Sequence, residues 1–175
     1  MDKDPYIIGI TGHRNLPAEL FPALTVQIQA FYKKETVRHG IGNITVLSQL
    51  AEGADTLCAK LALDMGLRLV VPLPMNAAAY RKEFPESAVA GLDCLLSLAD
   101  SVFVVPPEEP VPPKANHGFY YRQAGLYVVR QCDVLLAVWD GVQRDTPDGA
   151  GTWESLKLAR DFEKPIHHIA IQARI

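Results

Sequence analysis

The chain has 175 residues, of which 49% are hydrophobic and 21% are charged, and its formal net charge is −3. These proportions exclude intrinsic disorder and suit a single globular domain over residues 1–175 that folds without disulfides or metal. The basic residues are scattered, which argues against a stable nucleic-acid complex, and no apolar run reaches the roughly 18 residues that cross a bilayer.

The N-terminal stretch has neither the pattern of a secretory signal nor that of a transit peptide, so we expect a cytoplasmic protein. Its three cysteines, Cys58, Cys94 and Cys132, lie far apart and form no CxxC pair. Such isolated cysteines are typical of small buried hydrophobic residues. We therefore expect no structural zinc. Separately, we expect no bound cofactor and no other metal.

Apolar runs alternate with helical patterns along the chain. In chain order the predicted elements are strand 6–11, helix 17–36, strand 44–50, helix 53–65, strand 67–73, helix 85–99, strand 101–105, helix 119–131, strand 134–139, helix 152–162 and strand 165–171. Helix 53–65 has a regular apolar face, and a Pro-rich connection, VPPEEPVPPKANHG, follows the fourth strand. That connection is predicted to be an exposed loop, with a lid over the site as the alternative.

The strands are near-continuous apolar runs such as RLVVPL and VLLAVW, which indicates that both faces of the sheet are covered. The sequence therefore predicts a three-layer, Rossmann-like α/β fold: a doubly wound, mostly parallel six-stranded sheet with helices on both faces. In such sheets ligands bind beyond the carboxyl ends of the strands. The candidate site is therefore expected in the turns between strands and helices.

The first such turn contains Thr11, Gly12, His13, Arg14 and Asn15. Glycine allows a ligand to approach the backbone closely, and an arginine can pair with a phosphate in a bidentate way. The alternative is a tight turn in which Asn15 caps the next helix. His13 could be an acid, a base or a ring stacked on a nucleobase.

The second turn contains Ser48, Gln49, Gly53 and Asp55, polar and small residues at what should be the buried end of a strand. A helix that begins near Gly53 would attract an anion through its free amide groups and its dipole. The alternative is that Ser48 and Gln49 only cap and line a turn.

The third segment begins at Asp140 and continues to Gly149, Gly151 and Thr152 at the start of a helix. Two glycines followed by threonine there are typical of a nest of amide donors for a phosphate. Glu154 is expected either to interact with the helix dipole or, beside a bound ribose, to act as a nucleophile or an acid/base group. No Walker P-loop, GxGxxG fingerprint or GxSxG elbow is present.

From Ile7 to about Ile171 the chain resembles the SLOG superfamily, which joins the Smf/DprA DNA-processing proteins and the Lonely Guy (LOG) phosphoribohydrolases. The similar segments are GITGHRN, LSQLAEGADTLCAKLA, VVPLP and the C-terminal GxGTxE. The resemblance implies a Rossmann-like domain that binds a nucleotide or a nucleotide-derived ligand. By analogy it also implies a homodimer.

The resemblance leaves two functions open. The first is a sensor or binding domain for a small-molecule nucleotide, and we favour it because Glu154 follows Thr152 one residue earlier than the LOG motif requires. The second is an enzyme that cleaves an N-glycosidic bond, like a LOG phosphoribohydrolase or a nucleoside deoxyribosyltransferase. In that enzyme Glu154 would be catalytic, and Arg122 or Arg130 would correspond to the arginine that LOG enzymes use on the preceding helix.

Overall fold

The computed structural model describes residues 4–172 and contains a six-stranded sheet in which neighbouring strands are all parallel. The strands are β1 Tyr6–Gly12, β2 Ile44–Leu47, β3 Arg68–Leu73, β4 Ser101–Val104, β5 Val134–Trp139 and β6 Ile166–Ala170. Their spatial order is β4-β3-β2-β1-β5-β6, so the chain winds outward from β1 in both directions. The predicted doubly wound α/β sheet is confirmed.

Helices connect the strands. They are α1 Phe21–His39, α2 Ala54–Asp64, α3 Ala77–Arg81, α4 Glu86–Leu98, α5 His117–Gln131 and α6 Thr152–Asp161. The five predicted helices are present, and α3 is an additional short helix in which Asn76 Oδ1 accepts a hydrogen bond from the Ala79 amide at 2.9 Å. No helix within residues 4–172 combines the length and apolar character needed to cross a membrane.

Helices cover both faces of the sheet, as the apolar strands predict, except at the edge strand β4, where Val102 and Val104 are exposed. Alternate residues of β5 enter two separate cores, since successive side chains of a strand point to opposite faces. Leu136 and Val138 pack in the core that holds α1, α2 and α4, whereas Leu135 and Ala137 pack with α5 and α6. All six residues of β5 are buried, and this strand lies between β1 and β6, beside the point where the winding reverses.

Strand β2 ends at Leu47, earlier than the predicted boundary at residue 50. The fully buried Ser48 hydroxyl accepts a hydrogen bond from the Leu50 amide at 3.1 Å, and Leu50 has a left-handed φ of 58°. This local turn replaces the hydrogen bonds of the sheet, so the polar residues that follow Leu47 leave the strand at its carboxyl end.

The Pro-rich connection is largely exposed and is held against α5 by its two glutamates. Glu109 binds Arg122 through two oxygens at 2.7 and 2.8 Å, and Glu108 pairs with Arg130. The Glu108 amide also donates to Gln123 Oε1 at 2.9 Å. The segment is therefore an irregular connector that is fixed to one helix by ion pairs.

Candidate functional site

A cavity of about 600 Å³ opens beside the carboxyl ends of β1 and β5, where the strand order changes direction. The three predicted turns and the first turns of α5 all contribute to its wall. The predicted site residues that line it are Thr11, Gly12, His13, Arg14, Gln49, Asp55, Arg122, Gly149, Gly151, Thr152 and Glu154. The structure thus brings most of these residues together at one location.

Ser48, Gly53 and Asp140 do not line this cavity but support residues that do. The backbone of Gly53 has a φ of 96°, and a Cβ atom there would overlap the Arg14 carbonyl group. A Cβ at Gly12 would overlap the Ala54 side chain and lie 2.7 Å from the Val138 carbonyl oxygen. Both glycines are therefore required where the turn after β1 packs directly on the start of α2.

His13 is fixed between the turns by Asp140. The His13 Nε2 atom lies 3.3 Å from the Asp140 amide nitrogen and 3.1 Å from Asp140 Oδ1. Partial burial opposes ionisation of Asp140, but hydrogen bonds from the Val142 amide, Arg144 and His13 outweigh it and lower its pKa to about 2. Asp140 is thus a charged partner that orients the imidazole at the edge of the cavity.

Asp55 organises the second turn from inside. Its carboxylate accepts hydrogen bonds from the Ser48 hydroxyl at 3.1 Å and from the amides of Gln49 and Ala51. Burial raises the pKa of Asp55 to about 7, although Ser48 and Arg14 act to lower it. Ser48 and Asp55 therefore support the turn that holds Gln49 at the cavity, which agrees with the alternative of a capped turn.

The third segment presents the start of α6 to the cavity. Gly149 and Gly151 have φ angles of 64° and 140°, and the N-cap residue of α6, Gly151, has no side chain that could cap the helix. The amide groups of that turn are consequently available to an anion, which the helix dipole also attracts.

Glu154 lines the cavity, but both of its carboxylate oxygens have partners. Oε1 accepts from the Thr146 amide at 3.2 Å, and Oε2 lies 2.6 Å from Lys157 Nζ. Lys157 also contacts Asp145 at 2.6 Å. Glu154 thus connects the preceding loop to α6, an arrangement that matches the non-catalytic alternative.

Sequence reasoning did not assign the contribution of the start of α5. His117, Tyr121, Asp148 and Ser155 also line the cavity. Asn116 caps α5 by accepting from the Phe119 amide at 3.1 Å, and it donates to Asp148 Oδ1 at 3.2 Å. The signal that could have found this wall is the Asn-His-Gly that ends the Pro-rich connection, because asparagine is a preferred N-cap residue.

No family model and no curated protein matches the chain, but solved structures share its fold. DNA processing protein A (DprA) from Streptococcus pneumoniae superposes with a TM-score of 0.62 at 15% identity, over 97% of this chain and 51% of that one. The chain has a DprA-like fold. It thus spans about half of the S. pneumoniae protein.

Two further solved structures have a fold similar to that of this chain. DprA from Helicobacter pylori, whose single-stranded DNA binding mode has been described, gives a TM-score of 0.61 at 14% identity, over 98% of this chain and 68% of that one. The Moco carrier protein from Chlamydomonas reinhardtii gives 0.53 at 18% identity, over 97% of this chain and 78% of that one. The Rossmann-like fold implied by the SLOG resemblance is confirmed.

Two arginines reach the cavity of this DprA-like fold with different partners. Arg122 is held by the bidentate ion pair with Glu109, and its Cδ would lie 2.7 Å from a Cβ on Gly149. The Arg14 guanidinium lies 4.5 Å from the centre of the Tyr121 ring. Within residues 4–172 no carboxylate comes within ion-pair distance of Arg14. The second predicted LOG-type arginine, Arg130, does not line the cavity and instead pairs with Glu108.

Two tryptophans lie beneath the third segment. Trp139 ends β5, and its ring stacks on that of Trp153 in the first turn of α6, with centroids 5.8 Å apart and planes 10° from parallel. Lys157 and Arg160 approach the Trp153 ring at 5.7 and 5.1 Å from its centroid. These contacts fix the orientation of the start of α6 relative to the sheet.

Proposed function

We propose that this protein is a binding or sensor domain for a nucleotide or a nucleotide-derived small molecule, held at the carboxyl edge of its sheet. The single observation that supports this most is the convergence of the three turns on one cavity at the point where the winding reverses. That point is where open α/β sheets bind ligands, and a volume of about 600 Å³ is in the usual range for small-molecule sites.

The donors around the cavity favour an anion. The starts of α2, α5 and α6 contribute to its wall, and each helix start carries partial positive charge. Arg14 adds a full positive charge and forms no ion pair with a carboxylate among residues 4–172. A phosphate group of a nucleotide is an anion that such donors bind well.

The solved relatives fit a ligand-binding role of this kind. One is described binding single-stranded DNA and another as a carrier of the molybdenum cofactor. We favour a small ligand over a nucleic-acid strand, because the cavity wall also carries the carboxylates of Asp148 and Glu154. These groups would oppose the close approach of a continuous phosphate backbone.

The test is a calorimetric titration with a panel of nucleoside 5′-monophosphates, repeated on a variant with a blocked cavity. Gly125 lines the cavity from α5, and the nearest atom to a Cβ placed there is Ser155 Oγ at 3.6 Å. Gly125→Leu should therefore fill the site and abolish binding. The matched control is Gly42→Leu between α1 and β2, at a position where a Cβ meets nothing within 4 Å and which lines neither the cavity nor the groove between α1, α2 and α4. Absence of binding in the unmodified protein, or equal binding by Gly125→Leu, would contradict the proposal.

Cleavage of an N-glycosidic bond is the alternative, and the position of Glu154 in the cavity wall is the observation in its favour. We favour binding without cleavage because Glu154 is occupied by Thr146 and Lys157. Incubation with the same monophosphates should release no free base. If base is released and Glu154→Gln stops the release while ligand binding persists, the enzyme function replaces the binding function.

The proposal includes a homodimer. Its support is an apolar groove between α1, α2 and α4, at which Phe21 and Leu98 are 40% and 58% exposed. Apolar surface of this kind is typical of protein interfaces. Light scattering should give twice the chain mass, and Leu98→Asp should reduce it to a monomer. Val37→Asp, at an exposed position of α1, is the control and should leave the mass unchanged.

The proposal also includes a cytoplasmic location. Its support is the state of the cysteines, since Cys58, Cys94 and Cys132 are all free thiols and Cys94 is exposed. Exposed free thiols suit a reducing compartment. Fractionation of cells that express the protein should recover it with cytosolic markers.

A further inference from the structure

The hydroxyl of Tyr121 is buried beside the cavity and has no hydrogen-bond partner within residues 4–172. Arg14 and the Glu83 carboxylate are both close enough to influence its pKa, but neither reaches hydrogen-bond geometry. The Arg14 guanidinium lies over the Tyr121 ring, 4.5 Å from its centre, and the Glu83 carboxylate pairs with His117 Nδ1 at 2.8 Å. A buried polar group without a partner costs free energy and calls for a physical explanation.

Arg14 and Tyr121 supply donors of the same kind at this end of the cavity. Burial raises the pKa of Tyr121, so its hydroxyl remains protonated and able to donate at neutral pH. The cation–π contact holds the guanidinium over the ring without using its N–H groups in ion pairs. Of the nearby carboxyl groups, Glu83 is paired with His117, and burial favours the neutral form of Asp55.

This pair of donors is separate from the start of α6. Tyr121 and Arg122 are consecutive in α5, and consecutive helical side chains point about 100° apart. Tyr121 is directed towards Arg14 and Tyr80, whereas Arg122 contacts the loop at Gly149. The cavity therefore has, on each side of α5, one group of hydrogen-bond donors that could bind an anion.

We infer that Arg14 and the Tyr121 hydroxyl form a second anion subsite, so that the preferred ligand is a nucleotide with two separate phosphate groups. This inference rests on the proposed nucleotide-binding function. One phosphate is held by the amides at the start of α6, and the other accepts hydrogen bonds from Arg14 and Tyr121. A nucleoside 3′,5′-bisphosphate has this chemistry.

The experiment compares adenosine 5′-monophosphate with adenosine 3′,5′-bisphosphate by calorimetry, in the unmodified protein, Tyr121→Phe and Tyr80→Phe. Tyr80 is the matched control, because its hydroxyl is also buried without a partner but its side chain does not line the cavity. Phenylalanine keeps the ring beneath Arg14 and removes only the hydroxyl. Both variants should be at least as stable to urea as the unmodified protein, since each removes an unsatisfied polar group.

The bisphosphate should bind the unmodified protein about tenfold more tightly than the monophosphate, in line with one additional charge-assisted interaction. Tyr121→Phe should remove most of this preference, and Tyr80→Phe should retain it. Equal affinities for the two nucleotides in the unmodified protein, or an unchanged preference in Tyr121→Phe, would overturn the inference while leaving nucleotide binding intact.

A titration with inorganic phosphate separates the two proposals if no nucleotide binds. Phosphate binding that is weakened by Tyr121→Phe but not by Tyr80→Phe would keep the anion subsite and overturn only the nucleotide ligand. Phosphate binding that is the same in all three proteins, or no phosphate binding at all, would overturn the subsite.

Discussion

The two sides of the cavity differ in whether their charged groups already have partners in the chain. On the side of the turn after β1, Arg14 has an aromatic ring as its neighbour. On the side of the loop before α6, Arg122 is bound to Glu109, and Glu154 is bound to Thr146 and Lys157. The comparison shows that the side with the motif for a catalytic glutamate is internally neutralised, whereas the other side keeps a cation for a ligand.

The largest expected effect comes from a substitution that disrupts the packing of the turn after β1. Gly53→Ala should destabilise the protein by about 5 kcal/mol, because the new Cβ would overlap the Arg14 carbonyl group at a backbone conformation that only glycine adopts easily. Gly141→Ala is the control, since Gly141 also has a positive φ, of 82°, but a Cβ there meets nothing within 4 Å. Its cost should be about 1 kcal/mol. Urea unfolding measures both, and similar losses would show that the packing of this turn is not the cause.

The next largest effect concerns how the free energy of unfolding depends on pH through Asp55, which lies on the same side of the cavity. Burial raises the pKa of Asp55 from its ordinary value of 3.8 to about 7 in the folded protein, so the stability it contributes is present below about pH 4 and is lost as pH rises through 7. This difference corresponds to about 4 kcal/mol. Asp55→Asn should therefore flatten the dependence of the unfolding free energy on pH between about pH 4 and pH 8.

Urea unfolding across that pH range provides the measurement for Asp55. The control is Asp64→Asn, at a carboxylate that is exposed and paired with Lys60. That variant should follow the pH dependence of the unmodified protein. If Asp55→Asn does so as well, Asp55 does not titrate in the range its burial predicts.

A comparison of the two arginines tests the contrast directly. Arg14→Gln should weaken nucleotide binding by at least about tenfold, because it removes a charged donor that forms no ion pair with a carboxylate among residues 4–172. Arg122→Gln should weaken binding less than about threefold, since Glu109 already neutralises that guanidinium. Calorimetry on both variants decides the matter, and a larger loss in Arg122→Gln would reverse the roles assigned to the two sides.

The smallest expected effect comes from releasing Arg122 from its ion pair, so that the side of the loop before α6 would also have an arginine without a carboxylate partner. Glu109→Gln removes the exposed carboxylate that holds Arg122, so the guanidinium becomes available to an anion in the cavity. Nucleotide binding should become about twofold tighter, as expected for loss of an exposed ion pair. Glu108→Gln alters the neighbouring pair with Arg130, which lies outside the cavity, and should not change affinity. Weaker binding by Glu109→Gln would indicate that the connector contributes to the site itself.

The strands could be predicted from their continuous apolar runs, and the long helices from the regular spacing of the apolar residues on their buried faces. The position of the cavity could be predicted as well, because parallel strands present their carboxyl ends at one edge. Arg14, Gln49 and Gly151 were found in this way from local composition alone.

The partners of the charged groups could not be predicted, because they come from distant parts of the chain. The ion pair between Glu109 and Arg122 depends on how an irregular connector lies against α5, and no periodic pattern specifies that path. Asp55 was assigned to the ligand, but its hydrogen bonds to Ser48 and the neighbouring amides depend on the left-handed turn at Leu50. The hydroxyl of Tyr121 becomes informative only when its surroundings are known.

The stacked indoles of Trp139 and Trp153 give the protein an intrinsic optical reporter. They are the two tryptophans of the whole chain, and Trp153 is adjacent to Thr152 at the start of α6. Occupation of that helix start should therefore alter the ultraviolet emission of the protein, whereas occupation of the Arg14 side should leave the emission nearly constant. The order in which the two ends of a ligand engage could thus be followed by stopped-flow mixing without attaching a dye.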